Sequence, residues 1–252
     1  MVCVIPDEGK SVEDIFSIGV MQEVQDWQEV VDYVLKENGS TPSSRILVSF
    51  DDYHQACYTS MHASNGDKLC YSPEQDDVDY EDAQYYRDEF EHFLHVIRTS
   101  GKLDFSALSG KISLTEADVK ILTVVNMNPL AVCDLPLRLL KVPVADSSEL
   151  FAAFPNGYFT CDLNTFENKA LCEYWAEAFG YQLIGIGASF LVFARKEPLT
   201  EAQTGAVVAQ MAGLYGLDNE QLLAPLKEVL KQQNYMFLPY VESLDNYDGV
   251  LA

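Results

Sequence analysis

The chain of 252 residues sets 16 Lys and Arg against 39 Asp and Glu, a formal charge of -23, with 48% hydrophobic residues. That apolar fraction supports a packed core and excludes wholesale disorder, and the length suits one large domain or two small ones. Such an excess of acid excludes sequence-independent capture of nucleic-acid phosphates or docking on anionic lipid, since both need clustered cations. A basic protein is the partner that the charge favours.

In chain order, Val24, Trp27, Val31 and Val34 recur at helical spacing, with Val30 and Leu35 widening the stripe, and predict a helix over 21–37. Asn38, Gly39 and Pro42 stop it. The run 45–50 follows as a buried strand ending at Asp51 and Asp52. Residues 55–61 predict a second strand, turned at Asn65, Gly66 and Asp67 into a hairpin with 68–71. A helix over 80–99 carries the apolar stripe Tyr86, Phe90, Phe93, Leu94 and Ile97. Residues 102–115 read as a connector, which places a domain boundary near Lys111.

Beyond that boundary, the β-branched run 119–125 predicts a strand. Another covers 138–144, near a sheet edge because Pro143 cannot donate to a ladder. Asp146 or Ser147 caps a short helix through 154. A stronger helix runs over 165–179, with Phe166, Ala170, Leu171, Tyr174, Trp175 and Ala178 on one side and Gly180 as its stop. Strands 181–186 and 190–194 pair around Gly187, Ala188 and Ser189; Thr200 then caps a helix to 215, and 218–233 supply one more. The expected fold is α+β in two sub-domains, an acidic one over 1–111 and a second over 112–252, each a small sheet with packed amphipathic helices.

The segment 74–82 holds six acids and no base. Asp77, Asp79 and Glu81 imitate the start of a calcium loop, but Asp82 stands where that loop needs glycine and Asp88 where it needs a bidentate Glu. The run reads instead as an acidic docking surface: Glu74, Asp76, Asp77, Asp79, Tyr80, Glu81 and Asp82, with Asp51 and Asp52 as weaker additions. Tyr80, Tyr85 and Tyr86 can supply the aromatic anchors that interfaces need beyond charge. His54, Cys57, His62 and Cys70 match no structural zinc spacing, and His92 and His95 lack the glutamate of a metalloprotease helix. Ser189 sits in Gly187-Ala188-Ser189-Phe190-Leu191, where Leu191 replaces the second glycine of a nucleophile elbow, so a hairpin turn is expected. No catalytic residue, metal site or cofactor is expected. The six cysteines (Cys3, Cys57, Cys70, Cys133, Cys161, Cys172) form no CxxC pair and read as reduced, mostly buried thiols. No apolar run is long enough to span a bilayer, and the opening residues are acidic rather than signal-like, which points to a cytoplasmic protein.

The second half carries a resemblance. Leu135-Pro136-Leu137-Arg138 leads into Lys141-Val142-Pro143-Val144, then Glu149-Leu150-Phe151-Ala152, Phe154-Pro155-Asn156-Gly157-Tyr158-Phe159, Tyr174-Trp175, Phe179-Gly180 and Leu183-Ile184-Gly185-Ile186. Over residues 135–243 this order resembles the bacterial family called domain of unknown function 4253. The chain departs from the family's pattern at Ser189 and Val192, where members tend to be acidic, and at Tyr158, Phe159, Cys161 and Asp162. Members occur in toxin-associated settings, so the resemblance implies an immunity role. With the charge, it leads to the expectation of a non-enzymatic acidic binding protein: a cytoplasmic immunity protein or inhibitor that neutralises a basic bacterial toxin. The alternatives are a regulatory or scaffold module without a toxin partner, and a metal-dependent hydrolase using His54, His62 or the carboxylate run.

Overall fold

A computed structural model describes residues 3–6, 12, 14–66, 68–73 and 79–251. Among these residues the strands β1 (Cys3–Ile5), β2 (Ser17–Gln22), β3 (Arg45–Ser49), β4 (Leu137–Val142), β5 (Gln182–Ile186), β6 (Phe190–Ala194) and β7 (Tyr235–Pro239) form one sheet, ordered β1-β2-β4-β3-β5-β6-β7. Neighbours run antiparallel except β3 and β5, which are parallel with Val48 opposite Gly185. The helices are α1 (Trp27–Ser40), α2 (Tyr53–Ser64), α3 (Ala83–Thr99), α4 (Glu116–Met127), α5 (Thr165–Phe179), α6 (Glu201–Leu214) and α7 (Ala224–Leu230).

The α+β class is as expected, but two separate small sheets do not form. β4 comes from the second half and lies between β2 and β3 of the first, with Leu137 opposite Met21 and Val142 opposite Arg45. Leu137 and Leu139 are fully buried while Arg138 and Leu140, on the opposite face, are half-buried, so this strand needs cover on both faces and a neighbour on each side. The connector near Lys111 therefore joins parts of one sheet. β4 is also not near an edge: Pro143 stands one position past its end, where the missing N–H breaks no ladder bond.

Three further expectations change. The helix predicted over 21–37 begins later, because Met21 and Gln22 end β2 and Asp26 caps α1 by accepting from the Gln28 N–H at 3.0 Å. Residues 55–61 form α2 rather than a strand: Asp52 caps it, and only Ala56 and Thr59, three apart, are buried. The run 119–125 is the middle of α4, where the reciprocal Thr115–Asp118 capping box overrides the β-branched composition. By contrast α5 begins and ends as predicted, with Asn164 and Glu167 forming its capping box and Gly180 at φ 73° closing it.

The sheet's centre carries the aromatic core. Trp27 of α1 packs edge-on to Phe50 and Phe237 at 5.7 and 5.1 Å, contacts that add about 0.5–1.5 kcal/mol each beyond burial. The outer edge of β7 is covered: the fully buried Asn126 of α4 accepts from the Phe237 N–H at 2.9 Å and donates to the Phe237 carbonyl at 3.1 Å. Tyr215 donates to the Pro239 carbonyl on the same strand. The six thiols are free, but only Cys172 is buried, which corrects the expectation of mostly buried cysteines. Among the described residues no helix is long and apolar enough to cross a membrane.

Candidate functional site

α2 and α3 stand apart over one face of the sheet and leave a groove of about 700 Å³. Its α2 wall is Tyr53, Cys57, Ser60, Met61 and Ser64, and its α3 wall is Tyr85, Tyr86, Glu89, Phe90 and Phe93. Both sets follow helical spacing, so each helix offers one stripe to the groove. Arg138 and Leu140, the half-buried pair on one face of β4, contribute from the sheet, and Asp14, Phe16, Tyr80 and the segment 152–155 also line the groove. The guanidinium of Arg138 lies 4.1 Å over the Tyr53 ring.

Of the residues expected to meet a partner, Glu74, Asp76 and Asp77 lie outside the described residues. Asp79, Tyr80, Glu81 and Asp82 lead into α3 and are exposed, with Tyr80 at 60%. Asp79 accepts from the Glu81 N–H and Asp82 from the Gln84 N–H, both at 2.9 Å, the latter as the α3 cap. Tyr80 packs against Tyr85 at 4.9 Å, and its carbonyl accepts from the Tyr86 hydroxyl. The chain's cations pair largely elsewhere: Arg98 with Glu149, Lys102 with Glu177, Lys111 with Glu167, Lys169 with Glu173, and Lys227 and Lys231 with Glu201. Among the described residues Asp79, Glu81 and Asp82 enter no such pair.

Asp52 is exposed and caps α2, but Asp51 corrects the expectation of a surface contact. It is fully buried at the end of β3. Its carboxylate accepts from the Ala188 N–H at 2.7 Å, the Ser189 N–H at 3.3 Å and the Tyr247 hydroxyl at 2.8 Å. It therefore ties β3 to the β5–β6 turn and to the C-terminal 3-10 turn Asp245–Leu251. Ser189 lies in that turn, which is the hairpin turn expected, and its hydroxyl is bonded to the Tyr247 hydroxyl at 3.0 Å.

Burial pushes the Asp51 carboxyl up to about 7, against the lowering effect of those hydrogen bonds. Burial likewise pushes Asp162 up to about 6. For a raised carboxyl the native state holds the proton more tightly than the unfolded chain, so stability is highest at low pH and falls as pH rises through the window up to about 7. We expect the wild type to be more stable at about pH 5.5 than at pH 8 by about 2 kcal/mol in urea unfolding, from the linkage of Asp51 alone. Asp51→Asn should remove most of that difference. Repulsion among the other carboxylates acts in the same direction but persists in the variant, so an unchanged slope would show that Asp51 is not the group responsible.

The histidines do not assemble. His54 and His62 lie on α2, His92 and His95 on α3; His62 stacks on Tyr158 at 4.5 Å, and His92 packs against Tyr71. Among the described residues no group of three or more His, Cys, Asp or Glu is placed to hold a metal ion. The aromatic surface continues past His62 to Tyr58, Tyr158 and Phe159, each between 43% and 47% exposed. The groove itself was hidden from sequence by the reading of 55–61 as a strand. Read as a helix, Tyr53, Cys57 and Met61 align on one side, and that stripe was the available signal.

No family model matches the chain, and neither does any curated protein or solved structure.

Proposed function

We propose that the chain is a non-enzymatic acidic binding protein, a cytoplasmic immunity protein or inhibitor that neutralises a basic bacterial toxin. The observation that carries this reading is the exposed set Asp79, Glu81 and Asp82, which forms no ion pair among the described residues and is placed with Tyr80 beside an aromatic groove. Unpaired acids accelerate the encounter with a cationic surface and repel acidic competitors. Exposed tyrosine supplies the apolar contact that slows dissociation. The net charge of -23 extends the attraction over the whole molecule. The resemblance of residues 135–243 to the domain of unknown function 4253 family points toward the same toxin-associated setting.

The test is capture from host extract at about 0.05 M salt, where exposed charges act over more than ~10 Å, and release at about 0.5 M. A basic protein should be retained, bind the purified chain directly, and lose its toxicity on co-expression. The triple variant Asp79→Lys, Glu81→Lys, Asp82→Lys should slow association at least about tenfold at low salt, because steering scales with local charge. Recovery of no basic protein at low salt would remove the reading.

A further inference from the structure

We propose that the groove between α2 and α3 seats an arginine side chain of the basic partner, with Glu89 as its counter-ion and Tyr80, Tyr85 and Tyr86 as its walls. This rests on the acidic-binder reading and names the group that the site recognises. Glu89 lines the groove one helical turn after Tyr85 and is half-buried there. Burial raises the Glu89 carboxyl, and among the described residues no Lys or Arg forms an ion pair with it. A half-buried carboxylate without a counter-ion is a cost in the free protein that an arriving cation relieves.

The walls have the matching chemistry. Tyr80 meets Tyr85 at 4.9 Å and 65°, and Tyr85 meets Tyr86 at 5.1 Å and 90°. Steeply crossed electron-rich rings beside a carboxylate are the features that hold a cation away from bulk water. Arginine is favoured over lysine because a guanidinium is planar, weakly hydrated and able to bond a carboxylate through two N–H groups. The chain's own Arg138, 4.1 Å over Tyr53 on the opposite wall, shows the groove admitting a guanidinium against a ring. That cation is outnumbered by Asp14 and Glu89, so the charged lining stays anionic.

The test titrates an acetylated hexa-arginine peptide, and its hexa-lysine counterpart, into the full-length protein at low salt by calorimetry. Wild type is compared with Glu89→Gln and with Glu220→Gln, the same change of charge at an exposed position of the 3-10 turn Glu220–Leu223. Glu89→Gln should weaken the arginine peptide at least about tenfold and Glu220→Gln by less than about twofold, with the lysine peptide several-fold weaker on wild type. Glu89→Gln should also unfold at a higher urea concentration than wild type at pH 8, since it relieves a desolvated charge; a merely structural carboxylate would give the opposite shift. Equal weakening by the two variants would overturn the groove while leaving the acidic reading intact. Equal affinity for the two peptides would overturn the arginine preference, and no binding of either would overturn the groove and the reading together.

Discussion

Gly187→Ala is expected to cost more than about 4 kcal/mol, an effect at the extreme end of single substitutions. A methyl carbon at that position would overlap Asp51 Oδ1, so the two cannot coexist. The carboxylate cannot step aside cheaply, because it is fully buried and held by the Ala188 N–H, the Ser189 N–H and the Tyr247 hydroxyl. Moving it leaves three donors unsatisfied, and bonds to a charged acceptor are worth about 1.5–3 kcal/mol each. The turn cannot move either, since Tyr240 bonds the Gly187 and Ala188 carbonyls at 2.8 and 2.7 Å. The decisive measurement is a double-mutant cycle. On an Asp51→Ala background, itself destabilised, the added methyl enters the space that the carboxylate left and should cost less than about 1 kcal/mol. Additive losses would mean that the clash is not with Asp51.

Asn126→Ala ranks second, with an expected loss of about 4 kcal/mol. The side chain makes three hydrogen bonds from a fully buried position: to the Leu122 carbonyl at 2.9 Å and to both main-chain groups of Phe237. Its removal leaves the N–H and C=O of an edge strand buried and unpaired, each costing about 1–3 kcal/mol. Asn126→Asp should be at least as damaging at neutral pH despite its equal size. It places a second acceptor against the Phe237 carbonyl and adds a buried charge. Urea unfolding of both variants, with light scattering to follow association through the uncovered strand, checks this. A loss below about 1 kcal/mol would show that solvent already serves the edge.

Legibility from sequence followed how local each determinant is. α5 was readable to its ends because its apolar side, from Phe166 to Ala178, is continuous and its stop, Gly180, follows directly. The β5–β6 hairpin was readable because its two apolar runs flank their own turn. α4 was misread because Val119, Ile121, Val124 and Val125 favour strands, while the capping box that decides the matter lies just before them. β7 escaped notice because the reading assigned no element beyond 233, although the buried run Tyr235–Pro239 follows only four residues after α7 ends at Leu230. At the site, the exposed acids were visible as a run of charge. Asp51 was grouped with them because nothing near it in sequence announces Ala188, Ser189 and Tyr247, which lie 137 to 196 positions away. Glu89 was passed over as one acid among many, and only the three-dimensional groove separates it from its neighbours.

The placement of β4 between β2 and β3 has a consequence for synthesis on the ribosome. When the first 111 residues have emerged, β2 and β3 both lack the strand that joins them, and β5, the other neighbour of β3, is still further off. The nascent chain must hold these apolar segments apart until residue 142 is out of the exit tunnel, an interval of several seconds at ordinary translation speeds. Truncated products ending near the connector should accordingly be chaperone clients rather than a free-standing acidic half.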